Sequence, residues 1–228
     1  MYKQSLLDKL DRKYGRYAIK NLMSIIVFGT LGVWLFDTVV YMRTGVSLSG
    51  YLYFNPALIL RGQVWRLITF VFVPPSGQTF SLIITLYFYW AIGGGLENEW
   101  GAFKFNIFYF CGLLGSIAFG FLTGYATAEY LNMSLFLAFA ILYPDHQILF
   151  FYFFPVKMKW LALVDLLLLL LLFIFGSWPV RIALLVAFAN VALFFWKRAY
   201  YRVKNHFRRR KWKREARRPN EDEYPFDL

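Results

Sequence analysis

Residues 67–96, "LITFVFVPPSGQTFSLIITLYFYWAIGGGL", decide the fold. The stretch carries no charged side chain, and its apolar residues run on in blocks instead of recurring with the period of an amphipathic helix or strand. Such a block belongs in hydrocarbon. Pro74-Pro75, followed by Ser76-Gly77, cannot continue a regular helix. The crossing proper is therefore expected to start near Phe80, with the preceding part dipping into the membrane or lying at its surface.

Working outward, further apolar runs lie at about 21–41, 103–124, 131–143, 160–176 and 179–196. A crossing takes ~20 helical residues, and six crossings are expected. The fourth run is short, because about thirteen residues rise only ~20 Å; that length suits an interior helix shielded by its neighbours. The expected class is all-α: a polytopic membrane protein with a six-transmembrane-helix bundle over 21–196, a leader over 1–20 and a tail over 197–228. Composition agrees, since 59% of residues are hydrophobic and only 17% charged, too few to cover a soluble domain of 228 residues.

The charges set an expected direction. The leader holds six Lys and Arg, the segment from Lys197 to Arg218 holds twelve, and seven stand between them. With six crossings, Lys104, Lys157 and Lys159 share the side of both ends, while Arg43, Arg61, Arg66 and Arg181 lie opposite, so both termini are expected in the cytoplasm. The leader lacks the apolar core and cleavage site of a signal peptide. Leu6, Leu7, Leu10, Tyr14 and Tyr17 share one helical face, which reads either as a helix lying on an anionic surface or as a solvated tail. The basic tail, interleaved with Tyr200, Tyr201, Phe207 and Trp212, points to anionic lipid as its partner and not to nucleic acid, and the final "PNEDEYPFDL" reads as a disordered acidic end.

No Walker loop, dinucleotide fingerprint or zinc-ligand spacing occurs, so no cofactor and no metal is expected. The single cysteine, Cys111, permits no internal disulfide and reads as a small packing residue within a span.

The segment Gly62 to Gly101 resembles rhomboid proteins from their large first loop through the second span. Trp65-Arg66 matches the tryptophan-arginine of that loop; in "GGGLENEWG", Glu97 and Gly101 match the family's glutamate and closing glycine; "LAFAILYPD" resembles the end of the fourth span. The likeness covers roughly residues 50–200, and taken whole the chain resembles a bacterial branch of rhomboid-like proteins, placed in a bacterial cell membrane. The resemblance implies an intramembrane serine-protease scaffold of the rhomboid peptidase kind.

The catalytic set that the resemblance implies is degenerate. Ser81 and Thr85 stand where active rhomboids resemble one another in a histidine and an asparagine of the oxyanion site. Asn132-Met133-Ser134-Leu135 stands at the glycine-x-serine-glycine nucleophile, leaving Ser134 without its glycines, and Asn190 stands at the base histidine. A serine nucleophile needs a base within ~2.6–3.2 Å, and a carboxamide is no base at neutral pH. His146 lies twelve residues beyond Ser134, ~18 Å along a helix, and His206 falls in the basic tail. Ser134 is therefore expected to tie helices together, with Asn190 as a partner, an interaction of about 0.6–2 kcal/mol.

Other polar residues carry their own expectations. Trp65-Arg66 reads as an interfacial anchor with the guanidinium in headgroups. Glu97 and Glu99 stand where they could pair with Lys104. Asp165, inside a leucine run, is a binding candidate, weighed against a pair with cytoplasmic lysines such as Lys159; Asp37, with Arg43 close by, is weighed the same way. Gly112, Gly115, Gly120 and Gly124 read as close helix contacts.

Three functions follow as expectations. The first is a pseudoprotease, not an enzyme, that binds transmembrane segments of client proteins or a partner protease. The second is an active protease with a noncanonical site at Ser134. The third is a small transporter using Asp37 or Asp165, against which stands the lack of repeat halves.

Overall fold

The computed structural model describes residues 6–75, 79–150 and 154–195. The basic tail from Lys197 to Arg218 with its acidic end, Ser76-Gly77, and the first five leader residues lie outside the described residues. The chain forms two units, Met1–Val191 and Ala192–Leu228.

Among the described residues, five helices are long and apolar enough to cross a membrane: α2 (Leu22–Thr44), α6 (Thr79–Trp100), α7 (Ala102–Thr123), α9 (Met158–Phe175) and α10 (Trp178–Phe195). A shorter apolar helix, α8 (Ala128–Leu142), stands between α7 and α9. The all-α, six-helix reading thus describes the bundle, and α6 is described from Thr79, next to the expected start near Phe80.

The helices α6 and α7 end for local reasons. The tight reversal between α6 and α7 turns on Gly101 (φ 84°), whose N–H donates to Glu97 O at 2.8 Å, and α7 stops at Gly124 (φ 81°), whose N–H donates to Gly120 O at 2.8 Å. Only glycine takes these left-handed angles without strain. Gly124 is therefore a helix stop, which corrects its reading as a helix contact.

The helix α8 forms the inside of the bundle, packing against α6, α7 and α9, while α6 packs against α2, α7 and α8. The 15 residues of α8 rise ~22 Å, short of a hydrocarbon layer of about 30 Å, and its neighbours accordingly enclose it, burying Leu131, Asn132, Ser134, Leu135 and Ala138. By contrast α9 buries only Met158 and Leu169 and exposes its leucines around most of its circumference. That is the surface a lipid-facing span presents. Because lipid tails are as apolar as leucine, close fit holds the helices together. Gly95 lies under the Phe139 ring, and Gly112 lies under Leu131 and Asn190. Cys111 does not fill such a contact; it is exposed on α7.

The ends of the bundle carry elements that hydropathy does not announce. Between α2 and α6 lie α3 (Ser49–Leu52), α4 (Pro56–Leu60), α5 (Arg66–Thr69) and a 3-10 turn over Phe70–Phe72. Phe54 seats this loop, meeting Phe70 and Phe121 edge-on with ring centroids 5.7 and 5.6 Å apart. At the other end a hairpin, β1 (Gln147–Phe150) with β2 (Phe154–Lys157), pairs antiparallel with Gln147 opposite Lys157. The leader contains α1 (Leu6–Tyr14), with Leu10, Tyr14 and Tyr17 exposed.

Candidate functional site

The site begins at α8. Its helical path places Ser134 fully inside the bundle, 0% exposed, where the hydroxyl donates to Leu131 O of its own helix at 2.6 Å. Asn190 comes from α10 and is also buried, and its amide donates across the bundle to Phe108 O at 3.3 Å. Both side chains line a cavity of about 10 Å³ together with Gly112, Ser116 and Leu131. The expected pairing of Ser134 with Asn190 is replaced by two separate bonds to backbone carbonyls. A β-hydroxyl on a helix reaches its own preceding turn without any cost of alignment, so the local carbonyl outcompetes the side chain across the gap. The Asn190 carboxamide oxygen has no hydrogen-bond partner among the described residues.

Among the described residues, no base serves the serine. His146 lies past the end of α8, exposed, with its ring edge-on to Phe139 at 5.8 Å. An unactivated hydroxyl whose proton is held by a carbonyl is a poor nucleophile. On α6, Ser81 is exposed and Thr85 is half-buried four residues further on.

Thr85 faces something else. With Tyr89 and Ile92 from α6, Asn132, Met133 and Phe136 from α8, and Val164, Asp165 and Leu168 from α9, it lines an open groove of about 310 Å³. α6 and α9 are its walls and α8 its floor. Asp165 presents a buried carboxylate oxygen without a hydrogen-bond partner among the described residues. Lys159 does not reach it and pairs with Asp145 at 3.2 Å. Six helical positions rotate a side chain by about 240°, away from its start, where three or four would align it.

A second, smaller cavity of about 40 Å³ opens at the Asp37 end, lined by Thr30, Tyr53, Pro74, Tyr125, Thr127 and Glu129 among others. Tyr89 and Asn132 line both this cavity and the groove. Burial, then the charge of Glu129, pushes the Tyr125 phenol above its ordinary range. Sequence reading passed over Tyr89 and Asn132 as sites. The signal for Asn132 was present, a carboxamide in a run of apolar residues; a lone tyrosine among aromatics carried none.

The loop residues prove to be ties. Arg66 is 3% exposed and donates to Gln63 Oε1 at 2.7 Å, Gly50 O at 3.0 Å and Tyr53 O at 2.8 Å. Its guanidinium does not reach outward to headgroups, because three fixed acceptors around a planar fork hold it better than mobile phosphates do. Trp65 donates to Tyr51 O at 3.2 Å. Asp37 engages no Arg43; it accepts from Ser47, Ser49 and the Leu48 N–H, capping the chain that follows α2. At the opposite end Glu97 accepts the Asn21 N–H at 2.7 Å and Glu99 accepts from the Tyr143 hydroxyl at 3.0 Å.

Compared with known families, residues 20–216 match the family described as "Eukaryotic integral membrane protein (DUF1751)", and the chain belongs to it. No curated protein matches the chain. The family is eukaryotic, which corrects the bacterial placement; hydropathy and helix-packing motifs answer to the bilayer and record nothing of lineage.

Proposed function

We propose that this member of the eukaryotic integral membrane family is a rhomboid-like pseudoprotease that holds transmembrane segments of client proteins or of a partner protease. The observation that carries this reading is Ser134: buried, bonded to Leu131 O, and sharing its cavity with the carboxamide of Asn190 instead of an imidazole. The rhomboid-like order of Trp65-Arg66, Glu97, Gly101 and the α8 segment supports the scaffold. The groove between α6 and α9 supports the binding role, since it is open and lined mostly by apolar side chains. In this reading both termini face the cytoplasm, following the Lys and Arg distribution, and the tail from Lys197 to Arg218 rests on anionic lipid.

Two measurements on purified protein in lipid test the reading. A fluorophosphonate probe should leave Ser134 unlabelled under conditions that label an active rhomboid. Photoreactive groups placed at Thr85 and, separately, at Trp65 should capture single-span proteins or one protease from native membrane. Labelling of Ser134, or the absence of any captured span, contradicts it.

A further inference from the structure

Asp165 stands eight positions into α9, about 10 Å from its first residue. That depth lies within hydrocarbon, where a carboxylate is costly unless something answers it. The described residues supply no answer: one carboxylate oxygen is buried and unpartnered, and Lys159, the nearest basic residue on α9, is engaged by Asp145. The acid opens onto a groove whose remaining lining is mostly aliphatic and aromatic, with Thr85, Tyr89 and Asn132 as the other polar members.

We propose that this groove docks a transmembrane helix of another protein bearing a lysine or arginine about 10 Å inside the membrane from the Lys159 end, with Asp165 receiving that cation. The inference rests on the client-binding reading and specifies which spans are held. Charge complementarity selects the occupant. A second copy of this chain does not fit, because its own spans carry Lys and Arg only near their ends, at Arg43, Lys104, Lys159 and Arg181, with none in α6 or α8. The groove volume, about 310 Å³, is at the low end of small-molecule sites, about 300–1,000 Å³. It therefore takes the side chains of a helix laid across its mouth, the basic one innermost. Thr85 and Asn132 can accept from a guanidinium or ammonium as further partners.

The test uses the full chain in phosphatidylcholine vesicles and single-span peptides of leucine and alanine, alike except for one residue. That residue is leucine, glutamate, or lysine stepped along the span, and binding is read by energy transfer. The lysine peptide should bind about tenfold more tightly than the leucine peptide, with the maximum where lysine matches the depth of Asp165. Asp165→Asn, nearly isosteric, should abolish the preference while keeping the far-ultraviolet spectrum and elution volume. Asp165→Lys should transfer the preference to the glutamate peptide. Equal binding of lysine and leucine peptides to the unaltered chain overturns the proposal, as does a preference that survives Asp165→Asn. Displacement of the lysine peptide by added phosphatidylethanolamine would assign the acid to an amine lipid and overturn it too. Binding of every peptide alike sinks only this inference, whereas failure to bind any peptide sinks the client reading itself.

Discussion

Ser134 and Asn190 line one small cavity, yet each gives its hydrogen bond to a backbone carbonyl, Leu131 O and Phe108 O, and neither to the other. Ser134→Ala should therefore change stability by less than ~1 kcal/mol, because a bond to the same helix contributes little once removed with its donor. Ser134→Leu should cost ~1–3 kcal/mol by overpacking. Thermal unfolding in detergent ranks the two; an alanine variant less stable than the leucine variant would refute the assignment.

Gly112 and Gly94 make a matched pair for testing the packing. A side chain at Gly112 meets Leu131 and Asn190, whereas one at Gly94 meets open space. Gly112→Ala should lose ~1–3 kcal/mol, while Gly94→Ala should be neutral or gain up to ~1 kcal/mol from helix propensity. Unfolding midpoints of both variants check the contrast.

Arg66 should tolerate no substitute. Arg66→Lys keeps the charge but cannot span Gln63, Gly50 and Tyr53 at once. A loss of about 1–2 kcal/mol is expected from orphaned, part-buried acceptors, with faster hydrogen exchange concentrated between Gly50 and Thr69. Unchanged exchange there would show that the loop is held by Phe54 and its aromatic contacts alone.

The tail makes a prediction that needs only its sequence. A peptide of residues 197–218 should bind vesicles more tightly as anionic lipid increases and less tightly as salt is added, at about 1 kcal/mol per engaged Lys or Arg. Binding indifferent to lipid charge would point to a cytoplasmic protein as its partner.

The spans were legible because hydrocarbon imposes one requirement, continuous apolar length, and the runs near 21–41 and 103–124 became α2 and α7 almost residue for residue. The loop helices and the hairpin were not, since their stability comes from distant partners: Arg66 gathers carbonyls thirteen and sixteen residues away, and Phe54 waits for Phe121. At the site, Asp165 was visible as a charge among leucines, but its partner was misread by counting along the helix axis and ignoring rotation about it. The proximity of Ser134 and Asn190 was legible from the resemblance; the direction of their hydrogen bonds was not, because a helix offers each hydroxyl a carbonyl that sequence never displays.

The most direct test of the central claim is a cleavage and capture assay in one vesicle preparation. The full chain is reconstituted with a fluorescent single-span protein that an active rhomboid cuts, and product and cross-linked complex are measured together. The account predicts complex at the groove around Thr85 and Asp165 and no cleavage product above an empty-vesicle control, with Ser134→Ala indistinguishable from the unaltered chain. Product that accumulates with the unaltered chain and disappears with Ser134→Ala would contradict it.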